Sequence, residues 1–117
     1  MIDSSKKVPL LFYCHSNGVE PVRQWLKELG EEDRHAIGRD LMRAQWRWPV
    51  GMPLCRPPLG QGLWEIRTNL PSDRIARVFV CQSAGTLVAL DGFIKTTQKT
   101  PDADLMFARR RQRELKK

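Results

Sequence analysis

Three apolar runs separated by short polar links decide the fold: LWEIRT at residues 63–68, RIARVFVC at 74–81 and TLVALDGFIK at 86–95. Each run is rich in β-branched, aromatic and aliphatic residues, as strands usually are. The links NLPSD and QSAG between them are short enough for hairpin turns. The stretch therefore predicts three consecutive antiparallel strands.

Upstream of these strands, the sequence predicts one more strand and a helical hairpin. A short apolar run at residues 8–14 predicts the strand. Two segments with helical spacing follow it, and each has an apolar face. The first face contains Val22, Trp25, Leu26 and Leu29, and the second contains Ile37, Leu41, Ala44 and Trp48.

The remaining segments complete the predicted order. Residues 49–62 contain four prolines and three glycines, which predicts a loop. After Pro101 the pattern predicts a C-terminal helix, whose sheet-facing residues are Leu105, Ala108 and Leu115. The order β-α-α-β-β-β-α predicts an α+β fold in which a mostly antiparallel sheet is combined with a helical hairpin and a C-terminal helix.

Length and composition limit the class of protein. A chain of 117 residues predicts one domain, 1–117, and no apolar run approaches the length of a membrane span. The three cysteines are widely separated and do not form a metal-binding or disulfide pattern. We therefore expect a protein of the reducing cytoplasm that needs no metal or other cofactor.

Positive charge is concentrated at the C-terminus. The net charge is +7, and residues 95–117 hold eight Lys/Arg against three Asp/Glu. Such a segment attracts a polyanion or an acidic partner. The alternative is a basic helix that is simply solvated.

Strand alternation predicts where other cations lie. Arg67, Arg77 and Lys95, with Phe93 among them, are expected on a sheet face left open by the helical hairpin. Cations interleaved with an aromatic ring suit single-stranded RNA, although exposed arginines are also ordinary solubilising residues. The same alternation predicts that three residues of the third strand face the helical hairpin, namely Val88, Leu90 and Ile94.

Candidates for proton transfer are few. His15, His35 and the only tyrosine, Tyr13, are dispersed, and structural or surface roles are the simpler interpretation of the histidines. The sequence contains no Ser/His/Asp set or glycine-rich phosphate loop. The residues alone therefore suggest charge stabilisation more than acid–base chemistry.

The C-terminal half resembles a known family. GLWEIRT, RIARVFV, ALDGFIKTTQKTP and ADLMFARRRQREL are similar to the corresponding segments of phage-derived HigB-like toxins in the RelE/ParE superfamily. The resemblance covers residues 62–115, and its most specific element is the Lys-Thr-x-Gln-Lys-Thr-Pro string at 95–101. Two positions differ from the family pattern: Asp91 replaces the His of His-Gly-Phe, and Thr96 replaces the second lysine.

The resemblance implies a toxin of a type II toxin–antitoxin system. Such toxins share the RelE-like fold, cleave mRNA in the ribosomal A site and thereby inhibit translation. The implied partners are a cognate helix-turn-helix antitoxin, mRNA and ribosomal RNA, with no membrane. Two alternatives remain, a ParE-like toxin that inhibits gyrase and a degenerate family member that binds an antitoxin without catalysis.

The resemblance also implies site residues. The residues expected to act in catalysis are Arg67, Arg77 and Lys95. It also implies that Arg74 and Lys99 bind RNA. The strand and charge patterns add four more residues expected to bind RNA: Phe93, Arg109, Arg110 and Arg113. The basic C-terminal helix has two open roles, contact with ribosomal RNA or with an acidic antitoxin segment.

Overall fold

A computed structural model describes residues 7–48, 55–56, 60–95 and 102–115. Its strands are β1 Leu10–Phe12, β2 Cys55–Arg56, β3 Leu63–Leu70, β4 Arg74–Ser83 and β5 Thr86–Lys95. Its helices are α1 Pro21–Glu28, α2 Glu31–Arg47 and α3 Asp102–Glu114. The predicted α+β fold is confirmed. The prediction of a loop at 49–62 was wrong at residues 55–56, where β2 pairs with β3.

The strands form one sheet in the order β1-β5-β4-β3-β2. β1 is parallel to β5, and every other neighbouring pair is antiparallel. Positive backbone φ angles at Ser72, Asp73, Ala84 and Gly85 turn the two hairpins between β3, β4 and β5. Two consecutive residues with a left-handed backbone conformation form a turn that matches the twist of the flanking strands. The predicted meander of three antiparallel strands is therefore confirmed.

The α1 and α2 helices cover one face of the sheet. Val22, Ile37 and Ala44 are almost fully buried there against Ile66 and Val78. Burial of such side chains supplies much of the driving force for docking a helix. All eight residues predicted for the two apolar faces belong to this cluster or pack against it.

A β-bulge in β5 reverses the expected side-chain phase. Val80 pairs with Ala89 while Phe79 pairs with Asp91, so Leu90 is an extra residue without a partner in β4. An extra residue moves the preceding side chains to the opposite face. The prediction that Val88 and Leu90 face the helical hairpin was therefore wrong, because both lie in the cluster on the other face.

Helix α3 covers much of that second face. Ala108 is fully buried, and Leu105 and Leu115 pack against a cluster that includes Phe79 and Leu90. The inward residues of α3 were predicted correctly. The expectation of an open face was wrong, because this face also carries large apolar side chains that need cover. In the described part of the chain, no helix has the length and apolar character to cross a membrane.

Candidate functional site

The β-strand register brings the two predicted catalytic arginines together. Arg67 on β3 lies opposite Arg77 on β4, and Arg77 lies opposite Phe93 on β5. We call these three residues the arginine row. The next row on the same face contains Glu65, Phe79 and Asp91. Two like charges in direct register repel each other, so a compensating group is required.

Glu65 supplies that compensation for Arg77. The Nη1 atom of Arg77 donates a hydrogen bond to Glu65 Oε1, and the two residues are 5% and 0% exposed. The Arg77 Nε atom is buried and has no hydrogen-bond partner among the described residues. Arg77 is therefore not on an open surface, as the sequence suggested, but under it in a buried ion pair. Sequence reasoning did not assign Glu65 to the site. Strand alternation places Glu65 on the same face as Arg67, and this was the signal that could have identified it.

Arg67 is the more accessible cation of the row. Its side chain is partly buried, and within the described ranges it has no hydrogen-bond or ion-pair partner. A guanidinium with unused donors can form bidentate hydrogen bonds with a phosphate. Arg67 is therefore the row's best candidate for direct contact with an anionic ligand.

Phe93 is placed differently from its expected position. It is 8% exposed, and its ring centroid lies 5.6 Å from that of Phe79. The expectation that this ring lies on an open face was wrong, because α3 covers the cluster to which it belongs. In this arrangement Phe93 supports the arginine row from within the fold.

The predicted lysines fall at the limit of the described residues. Lys95 is the last residue of β5 and pairs with Ile75 through its backbone. Its side chain, and all of Lys99, lie outside what the structure describes. Their assignments therefore remain predictions.

Arg74 joins the sheet to the helical hairpin. Its Nη1 and Nη2 atoms donate to Asp33 Oδ2 and Oδ1 at 2.9 and 3.1 Å. These hydrogen bonds raise the pKa of Arg74 above its ordinary value. Both terminal nitrogens of the Arg74 guanidinium are thus bound to Asp33 on α2.

The arginines of α3 have different environments. Arg110 and Arg113 are exposed, whereas Arg109 lies near the loop and donates to Gly60 O at 3.4 Å. Arg111 turns inward and donates to Leu90 O at 2.7 Å and to Asp91 Oδ1 at 3.2 Å. Sequence reasoning missed Arg111, although its position three residues after the inward-facing Ala108 was a usable signal.

Asp91, which departs from the family pattern, lies in a carboxyl pair. Its pKa is raised from 3.8 to about 8, chiefly by burial and also by the neighbouring Asp104, while Arg111 opposes the shift. Asp91 Oδ2 is buried and receives no hydrogen bond from the described residues. Two neighbouring carboxylates repel each other, and the raised pKa of Asp91 favours its protonated, uncharged form. Protonation of Asp91 therefore relieves the repulsion between β5 and α3.

The pair of Asp91 and Asp104 predicts that the protein becomes less stable as the pH rises. Because folding raises the pKa of Asp91, its contribution is fully present below pH 3.8 and is lost as the pH rises through about 8. At pH 9 we expect Asp91→Asn to melt higher than the wild type by on the order of 5 °C, with a smaller advantage at pH 5. Thermal melts at both pH values measure this difference. The exposed Asp102→Asn is the control, and an unchanged pH slope in Asp91→Asn would contradict the assignment.

Comparison with known protein families gives one match. The family model described as "Phage derived protein Gp49-like (DUF891)" matches residues 24–113. The matched region begins in α1 and ends in α3, so it includes the arginine row, Asp91 and the α3 arginines. No curated protein matches the chain significantly.

Proposed function

Because the chain belongs to the Gp49-like family of phage-derived proteins, a RelE-like toxin family of toxin–antitoxin systems, we propose that it is a HigB-like toxin. Its proposed activity is ribosome-dependent cleavage of mRNA in the cytoplasm, which inhibits translation. The observation that carries the proposal is the arginine row, in which accessible Arg67 lies in direct register with a second arginine. The proposed partner in the resting cell is a cognate helix-turn-helix antitoxin.

In the proposed reaction, the ribose 2′-oxygen attacks the adjacent phosphorus and the bond to the 5′-oxygen of the next nucleotide breaks. The phosphate gains negative charge in the transition state, and Arg67 stabilises it. Arg77, paired with Glu65, supports Arg67 from the neighbouring strand, and Lys95 and Lys99 are proposed to supply further positive charge. The general acid and base are not assigned to side chains, because positioning of the RNA by the ribosome supplies much of the rate enhancement.

The remaining assigned residues are proposed to contribute to RNA binding around this centre. Arg110 and Arg113, the exposed arginines of α3, would contact ribosomal RNA phosphates through salt-dependent interactions. Arg109 and Arg74 would contribute positive potential from positions where they also hold the loop and α2. Phe93 would keep the two arginines of the row in fixed positions.

Mapping mRNA 5′ ends after brief induction in bacterial cells tests this proposal. We expect new, codon-linked 5′ ends with the wild type and a loss of about 10²- to 10³-fold in cut frequency with Arg67→Ala, as for other charge-stabilising donors. Arg43→Ala is the control, because Arg43 is an exposed arginine on α2 paired with Asp40. A DNA-damage response without new 5′ ends would instead identify a gyrase-inhibiting toxin.

One observation favours a second candidate function. Arg77 is already neutralised by Glu65, and α3 covers the face next to the arginine row. A degenerate member that binds an antitoxin without catalysis would have this inaccessible arrangement. Absence of growth arrest, together with tight binding to the protein encoded beside it, would support this alternative and exclude the nuclease.

A further inference from the structure

A cleft lies at the edge of the sheet, between the end of β1 and the last two turns of α3. Four residues of α3 line it at the spacing i, i+3, i+4 and i+7, which places them on one helical face. They are Phe107, Arg110, Arg111 and Glu114, and they face Tyr13, His15 and Ser16. The hollow between the two segments has a volume of about 350 Å³. Small-molecule sites have volumes in this range.

The cleft has a fixed cation between aromatic rings. The guanidinium carbon of Arg111 lies 5.3 Å from the centroid of Phe107 and 5.8 Å from that of Tyr13. Its hydrogen bond to Leu90 O holds it in place. His15 meets the Tyr13 ring edge-on at a centroid distance of 5.1 Å. The cleft is therefore organised before any ligand arrives, which lowers the entropic cost of binding.

The rim of the cleft offers both stacking and charge. Phe107 is 41% exposed although it is a large apolar residue, and Arg110 is exposed beside it. An exposed ring next to an exposed cation is the combination that binds bases by stacking and phosphates by charge. Glu114 also lines the cleft, and its negative charge disfavours a second phosphate there.

We propose that this cleft binds one nucleotide of single-stranded RNA, with the base on Phe107 and its phosphate at Arg110. The cleft is a second RNA contact, since the strands β5 and β4 separate β1 from Arg67 on β3. At about 4.8 Å per strand, roughly 14 Å of sheet lies between β1 and β3. The identification of the ligand as RNA rests on the proposed function, whereas the stacking and charge arguments rest on the cleft itself.

Fluorescence anisotropy with a 5′-labelled, single-stranded RNA of about ten adenosines tests the cleft. The RNA is 2′-O-methylated so that 2′-oxygen attack cannot cleave it. We expect Phe107→Ala to weaken binding about 10-fold, within the range measured for loss of one base stack. Arg110→Glu should weaken it at least as much, and a duplex of the same sequence should show no dependence on Phe107.

Two variants act as matched controls. Met106→Ala removes a side chain of α3 that is 60% exposed and does not line the cleft, and Arg39→Glu makes the same charge change as Arg110→Glu at an exposed position on α2. If Phe107→Ala binds as well as Met106→Ala, or Arg110→Glu as well as Arg39→Glu, the cleft is not the site. Undetectable RNA binding by the wild type also overturns the proposal. Thermal melts of each variant show whether it is folded.

This assay separates the cleft from the proposed cleavage. If no codon-linked cuts appear in cells but Phe107→Ala still weakens RNA binding, the cleft is supported and the nuclease function fails. If cuts appear and depend on Arg67 while Phe107 has no effect on binding, the nuclease function stands and the cleft proposal fails.

Discussion

Glu65→Ala is expected to lower the free energy of unfolding by about 3–5 kcal/mol, the typical cost of removing one partner from a buried ion pair. The Arg77 guanidinium is 5% exposed and its Nε atom already lacks a partner among the described residues. Without the Glu65 carboxylate, a buried positive charge would be left opposite Arg67 with less compensation. Urea denaturation followed by tryptophan fluorescence measures the change.

Two comparisons sharpen this prediction. Glu20→Ala removes the partner of Arg23 in an exposed pair and should change stability by less than about 1 kcal/mol. The double variant Glu65→Leu with Arg77→Met replaces the buried pair by apolar side chains, so it should recover most of the lost stability. A Glu65→Ala variant as stable as Glu20→Ala would show that Arg77 is not buried in solution.

Gly92→Ala is expected to lower the free energy of unfolding by about 3 kcal/mol, at the upper end of overpacking costs in a core. A Cβ atom at this position would lie 2.4 and 2.5 Å from two ring atoms of Trp25. The ring is a rigid group that packs against the core of the sheet, so it cannot yield as a flexible chain end does. Glycine within a strand often marks such a close approach. Urea denaturation is again the measurement.

The control for this substitution is a second glycine in a regular element. Gly38 lies in α2, and a Cβ built there has no neighbour within 4 Å. Gly38→Ala should therefore raise stability by about 0.5–1 kcal/mol through helix propensity. Combining Gly92→Ala with Trp25→Leu should restore part of the loss, because the smaller side chain makes room. Equal stability of wild type and Gly92→Ala would exclude the close packing of Trp25.

The stability predictions bear on the proposed activity. Glu65 neutralises Arg77 in the folded protein, so the repulsion between the two arginines of the row is reduced before any RNA binds. Arg67 remains accessible for the phosphate. A site organised in this way can stabilise developing charge without reorganising during the reaction.

Much of the fold follows from local sequence patterns. Period-2 alternation and turn residues located β3, β4 and β5, and helical spacing located the inward faces of α1, α2 and α3. These signals are local, because they depend on how neighbouring side chains alternate along one element. The same alternation placed Arg67 and Arg77 on one face, and that prediction of the site was available without a structure.

Other features depended on contacts between distant segments. The bulge at Leu90 is defined by its pairing with β4, so no pattern within β5 alone reveals it. The docking of α3 over the second face decided that Phe93 is buried and that Arg111 meets Asp91.

The sequence by itself thus determined the helices, the strands other than β2, and which residues carry charge. The tertiary structure alone decided which charges are buried, which are paired and which remain accessible. The physical reason is that the environment of a charge depends on the groups packed around it, and these come from segments far apart in the chain.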